Sequence, residues 1–276
     1  MSSWLETLPT TTQESTAEEN DWTNCHFIID QVLRPDALEK LYQIDGSITA
    51  RYIFGGTEYE ELADIGPVWI SSNGSSASGV AAATICHESL AGLAIYTPLP
   101  TESAFEHAQY LLTQHDHVYG ESLCRYYDPR LWSALALSLP GLHALFGPWE
   151  KVSVPLPKSG ETTSWLHWNN PIPKVLPVSC PPLASSSDTL ALHREIRWHY
   201  WTMQYLHIFP VTVDSKNLPN IISNLQLLVD NGIHESRHLL RLLPHLPAEK
   251  LDTNSTAMSI LKSSLSASQK IKALEK

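Results

Sequence analysis

The sequence predicts an α/β (α+β) N-terminal lobe with a short-stranded mixed sheet, followed by an α-helical C-terminal lobe. Three observations carry this reading. From Cys25 onward, short apolar runs alternate with helix signals, the pattern of a domain that packs helices on a sheet. Residues 155–188 are dense in Pro and Ser, including Pro171, Pro173, Pro177, Pro181, Pro182 and Ser185-Ser186-Ser187, which marks a linker. Beyond residue 189 the apolar positions recur at helical spacing. The expected organisation is a flexible tail over 1–23, an α/β lobe over 24–154, the linker over 155–188 and a helical lobe over 189–276.

The tail carries Glu6, Glu14, Glu18, Glu19 and Asp21 with no Lys or Arg, and such a segment buries too little apolar area to offset its ordering entropy. Phe27-Ile28-Ile29 reads as a buried strand. A helix is expected over 35–42, with Pro35 in its first turn and Ala37, Leu38, Leu41 and Tyr42 at helical spacing. Tyr52-Ile53-Phe54 is a second apolar run, closed by Gly55-Gly56, and the Thr57 hydroxyl suits the cap of a short helix over 58–63. Gly66-Pro67 turns the chain into the strand Val68-Trp69-Ile70. Five serines and two glycines over 71–79 read as a loop.

Leu93-Ala94-Ile95-Tyr96 is another strand, and residues 102–113 form a helix with Ala104, Phe105, Ala108, Leu111 and Leu112 on one stripe. A strand over 123–127 runs into Asp128-Pro129-Arg130, a helix start in which Asp accepts free amides and Pro gives up a donor that had no partner. That helix stops at Pro140-Gly141. In the last part, helices are expected over 189–209, 217–230, 233–243 and 255–276. The first is apolar around most of its circumference, with Trp198, Trp201, Tyr205 and Ile208 on one stripe and Ile196, Tyr200 and Met203 beside it. Such a helix is buried or docked.

Composition bounds the function. The 276 residues are 43% hydrophobic and 17% charged, and no apolar run approaches the ~18 residues of a membrane span, so a soluble globular protein is expected. The 18 basic and 29 acidic residues leave a formal charge of -11, which argues against recognition of nucleic-acid phosphates. The start Met1-Ser2-Ser3-Trp4-Leu5-Glu6 lacks the basic and apolar regions of a secretory signal, so a cytoplasmic location is expected. Cys25, Cys86, Cys124 and Cys180 form no CxxC pair and read as reduced thiols, the first three buried in apolar, strand-like runs.

His234-Glu235-Ser236-Arg237-His238 formally matches HExxH, in which two His one helical turn apart bind zinc and the Glu activates water. A zinc-dependent hydrolase built on these residues is the alternative function. Against it, a helical wheel places His234, His238 and Arg241 on the polar face, a guanidinium opposes a dication, and Arg241 and Pro244 stand where the extended motif needs Gly and His. His115-Asp116-His117 reads as a solvated loop. Cys86-His87-Glu88 is a nucleophile beside a base only on paper, because catalytic Cys and His meet in space and not in sequence. There is no phosphate-cradling loop, nucleophile elbow or dinucleotide motif. No catalytic residue, metal or cofactor is assigned.

The order of motifs in the first lobe is more specific than any one of them. Phe27-Ile28-Ile29-Asp30 is followed by the 35–42 helix, Ile53-Phe54-Gly55-Gly56-Thr57-Glu58-Tyr59, Gly66-Pro67-Val68-Trp69, Arg125-Tyr126-Tyr127-Asp128-Pro129-Arg130 and Leu145-Phe146-Gly147-Pro148. This succession resembles the DUF4123 family over about residues 25–150. The resemblance implies a bacterial, cytoplasmic adaptor chaperone of the type VI secretion system, which binds a cognate effector, stabilises it and loads it on the VgrG spike. Its signature residues here are Asp30, Gly66, Pro67, Arg125, Tyr126, Tyr127, Asp128, Pro129 and Arg130. A structural role is expected for them: Asp128 caps the next helix, and Arg125 or Arg130 pairs with a buried acid such as Asp30. Trp198, Trp201 and Tyr205 are the candidate partner-binding residues, because Trp and Tyr join a large apolar area to a polar tip.

Overall fold

In the computed structural model, which describes residues 12–16, 21–46, 48–116, 120–139, 143–157, 163–177, 183–184, 186–214, 216–247 and 249–275, the chain divides into two units. One comprises residues 3–196 and the other centres on residues 197–276.

The strands of the first unit are β1 (Thr12–Thr16), β2 (His26–Asp30), β3 (Thr49–Tyr52), β4 (Pro67–Ser71), β5 (Gly92–Tyr96), β6 (Thr113–Asp116), β7 (Gly120–Leu123), β8 (Lys151–Pro155), β9 (Ser164–Asn169) and β10 (Leu183–Ala184). Its helices are α1 (Ala37–Ile44), α2 (Ser76–Glu88), α3 (Thr101–Tyr110), α4 (Pro129–Ser138) and α5 (His143–Phe146), with a 3-10 helix at Glu60–Ile65. Seven strands form one sheet in the order β1-β9-β8-β5-β2-β4-β3, antiparallel at every pairing. A second sheet, β10-β6-β7, holds the parallel pair β10 and β6. The fold is α+β, as the alternation of apolar runs and helices predicts, but the mixed pairing expected of the sheet occurs only in the second, three-stranded one, and the main sheet is antiparallel.

The sheet is covered on both faces, which explains why its central strands read as unbroken apolar runs rather than alternating ones. Successive side chains point to opposite faces. Ile28 joins Trp69, Leu93, Phe105 and Trp132 in one core, against α3 and α4. Phe27 and Ile29 join Val68, Ile70, Leu41 and Ile85 in the other, against α1 and α2. The register Ile28↔Trp69 and Ile29↔Val68 keeps the two sets apart, since a slip of one residue would exchange them.

Several sequence expectations change. The 71–79 stretch is not all loop: α2 starts at Ser76, capped by Ser75, whose side chain accepts the Ser78 amide. Its serines serve as strand end, cap and first turn, and the run Val80-Ala81-Ala82-Ala83 carries the helix, so Cys86 is helical rather than in a strand. The strand expected over 123–127 ends at Leu123, and Tyr126-Tyr127 lie in a turn. Within the expected tail, Thr12–Thr16 pairs along β9, where the Ser15 hydroxyl meets His167 Nε2 at 2.5 Å. Backbone pairing to an open sheet edge orders a polar segment that has little apolar area of its own. Within the expected linker, Ser164–Asn169 is an interior strand with Trp165 and Trp168 buried.

The helical unit contains α7 (Leu218–Asp230), α8 (Ser236–Leu242), α9 (Ser255–Lys262) and α10 (Ala267–Leu274), and the division between units falls inside α6 (Ser187–Gln204). Ile221, Leu225, Leu228, Ile233, Leu239, Leu242 and Leu261 form its core. The expected 255–276 helix is broken at Ser263, and α10 restarts with a capping box between Ser266 and Gln269. The expected 233–243 helix begins only at Ser236. Among the described residues, no helix is long and apolar enough to cross a membrane.

Candidate functional site

Asp30, Gly66, Pro67 and Arg125 converge on one end of the seven-stranded sheet, where β2 stops and β4 begins. Asp30 pairs with Pro67 across that end and is buried. Its Oδ1 accepts the Val32 amide at 2.9 Å, and its backbone oxygen accepts the Leu33 and Arg34 amides at 3.2 and 3.0 Å. Its Oδ2 accepts Arg125 Nη2 in an ion pair. The carboxylate thus forms the turn after β2 and ties it to a residue 95 positions along the chain. Arg125 is half exposed and lies 5.9 Å from the Tyr127 ring centre.

Gly66 is required by space. A Cβ there would lie 2.4 Å from the Phe54 ring, and the Gly66 carbonyl accepts Gln31 Nε2 at 2.9 Å. Pro67 then opens β4 with no amide to offer.

The rest of the Arg-Tyr-Tyr-Asp-Pro-Arg run is an architectural joint. Tyr126 is fully buried and donates its hydroxyl to Ala108 O at 2.8 Å. Asp128 Oδ1 accepts the Arg130 amide at 2.9 Å as the α4 cap, and its two oxygens accept Arg130 Nε and Nη2 at 2.8 Å each. Burial works to raise the Asp128 carboxyl, and Arg130 outweighs it, holding the group below its ordinary value. Of the two arginines, Arg125 meets Asp30 and Arg130 turns back on its own cap. Pro129 occupies the first turn of α4.

Sequence reasoning passed over three further residues, Arg34 and Gln109 at this end and His107 against the segment that leads into β8. Arg34 is buried, and its guanidinium meets Asp36 at 2.9 Å, Glu88 at 2.7 Å and the Ile85 carbonyl at 3.3 Å. A cation at the C-terminal end of α2 also complements the helix dipole. Gln109 donates to the carbonyls of Ile53 and Gly55 at 3.1 and 2.7 Å, holding the Phe-Gly-Gly-Thr segment. His107 meets the Leu145 carbonyl at 2.9 Å, and burial lowers its pKa to about 4. Gly147, at φ +49°, passes so close that a Cβ would lie 2.6 Å from the His107 ring. The signal for His107 was its place on the apolar face of α3, which in sequence reads as packing alone.

The partner-binding candidates of the second unit form one aromatic stripe. The Trp198 and Trp201 rings lie 5.6 Å apart, and Trp201 and Tyr205 4.9 Å apart. All three are half-buried against the helical core, and Trp198 Nε1 donates to Gln226 at 3.0 Å. Much of their area is therefore spent on packing.

Only the last three residues of the HExxH match lie on a helix. Glu235 is the residue before α8 and pairs with Arg237 at 2.6 Å, while His234 is exposed with Nδ1 3.2 Å from Val229 O. The two histidines therefore lack the helical one-turn spacing that the motif needs. His238 is partly buried rather than on a solvated face, and Arg241 binds Glu275 with two hydrogen bonds. Among the described residues, no group of three or more His, Cys, Asp or Glu side chains is placed to hold a metal. His115 and Asp116 fall in β6, not a loop, and His117 lies outside the described residues. Cys25, Cys86 and Cys124 are free and buried, and burial raises all three thiols, Cys124 to about 12. Cys180 lies outside the described residues.

Residues 25–142 match the family model described as Domain of unknown function (DUF4123). The match spans the signature residues from Asp30 to Arg130 and all the contacts that join them. No curated protein and no solved structure matches the chain.

Proposed function

We propose that this protein is an adaptor chaperone that binds a cognate type VI secretion effector in the cytoplasm, stabilises it and delivers it to the VgrG spike. The carrying observation is the family match over residues 25–142, joined to the Arg-Tyr-Tyr-Asp-Pro-Arg run that the resemblance to effector adaptors rests on. The chemistry of the signature fits a binding module and not a catalyst. Its charged groups are spent in pairs, Asp30 with Arg125 and Asp128 with Arg130, so each shapes a backbone turn and none is poised to move a proton. The buried thiols are held protonated, which suits packing rather than nucleophilic attack.

The test is deletion of the chain from its native cell, with effector and spike followed by quantitative immunoblot. The reading expects the effector level to fall at least several-fold, spike-bound effector to vanish and an unrelated effector to be unaffected. Unchanged effector level and unchanged loading would refute it.

A further inference from the structure

The 3-10 helix Glu60–Ile65 has no buried residue. In such a helix side chains three apart eclipse one another, so Leu62 and Ile65 form one apolar stripe, 47% and 57% exposed, and Glu61 and Asp64 form an acidic stripe beside it. The stripe ends at Gly66, whose carbonyl is bound by Gln31. The residues after Gln31 are Val32 and Leu33, 64% and 43% exposed. Four large exposed apolar side chains thus lie in the two segments that the Gln31–Gly66 hydrogen bond ties together at the signature end of the sheet. Single exposed apolar residues are ordinary, and a cluster of them marks an interaction surface.

The turn that presents Val32 and Leu33 is held rigid by three hydrogen bonds to Asp30, so little ordering entropy remains to be lost on binding. The charge of the surface also has a direction. Arg34, Lys40, Arg51, Arg125 and Arg130 already face Asp36, Glu88, Glu102, Asp30 and Asp128. Among the described residues, Glu60, Glu61 and Asp64 make no ion pair, which suits a cation from another molecule.

We infer that this surface docks a client segment in which apolar side chains alternate with Lys or Arg. The inference rests on the client-binding reading above and locates it: the apolar stripe supplies area, and the acidic stripe selects a basic partner and rejects an acidic one.

The test places a photo-reactive benzoylphenylalanine at position 65 of the full chain in its native cell, with position 172 as control, since Ile172 is at least as exposed. After irradiation the joined peptide is sequenced. The expected result is an adduct at 65 and none at 172, the peptide carrying apolar residues interleaved with Lys or Arg. The pair Glu61→Lys and Asp64→Lys should reduce the adduct about tenfold without shifting the melting curve, because both side chains are exposed. If the tagged chain recovers its effector but position 65 yields no adduct, an acidic peptide or a second copy of this chain, the surface is wrong and the client reading stands. If no effector is recovered at all, both fall.

Discussion

Asp30 concentrates more structural consequence than any other signature residue, because one buried carboxylate forms a turn and binds Arg125. Asp30→Ala removes both interactions and should cost about 2–3 kcal/mol, whereas Arg125→Ala, at a half-exposed partner, should cost about 1–2 kcal/mol and leave the carboxylate under-satisfied. The double variant should cost less than the sum, since the two changes remove one shared interaction. Urea unfolding of the three variants measures this, and strict additivity would show that the pair is not coupled. Gly66→Ala tests a different force. Its Cβ has no room beside Phe54, and a cost of about 1–3 kcal/mol is expected from overpacking. Buried histidines give the protein an acid sensitivity. His107 has a folded-state pKa of about 4 against an ordinary 6.5, caused by burial, and burial lowers His26, His167 and His199 in the same direction. Between those values the unfolded chain binds the proton and the folded one does not. Stability is therefore full above pH 6.5 and falls toward pH 4 by on the order of 1 kcal/mol per pH unit for each such group. In His107→Gln the slope of unfolding free energy against pH over 6.5–4.5 should be shallower by about one proton. An unchanged slope would show that His107 is not held neutral.

At the scale of elements, α4 depends on the residue just before it. Asp128 caps it and clamps Arg130, so Asp128→Ala should cost about 1–2 kcal/mol and Asp128→Asn less, because Asn still caps. Thermal melts of the two variants decide this, and equal losses would mean that the charge and not the cap matters. This cap was legible in sequence because Asp-Pro at a helix start is a local signal. So were β2, β4 and β5, whose apolar runs come from burial on both faces. The start of α2 was not legible: Ser75 caps, Ser76 opens the helix and Gly79 lets the Trp22 backbone pass where a Cβ would lie 2.2 Å from its carbonyl, yet these small residues spell a loop when read alone. The expected helix at Ile233 fails for a related reason. Ile233 is buried and its amide bonds back to Leu228 O, so the chain closes α7 there before α8 begins. That delay removes the geometry HExxH would need.

For the whole molecule, the least legible property is which strands pair. Thr12–Thr16 lies against Ser164–Asn169, about 150 residues away, and nothing local in either segment names the other. The Pro- and Ser-rich composition of 155–188 hides β9 in the same way, because strand pairing and burial of Trp165 and Trp168 override local turn preference. The signature site was partly legible. The pairing of an arginine of the run with Asp30 follows from an acid at a strand end and the need to neutralise it, while Arg34, Gln109 and His107 became visible only through contacts distant in sequence. What these pieces share is that the charges of the signature are paired internally, while apolar area is left outside at Val32, Leu33, Leu62 and Ile65. That arrangement supports the proposed role, in which the chain works by holding another macromolecule. The most direct measurement is the turnover of the cognate effector after synthesis is stopped, in cells with this chain, without it, and with it restored. The account expects the effector half-life to drop several-fold without the chain and to recover on restoration; an effector equally long-lived in all three would contradict it.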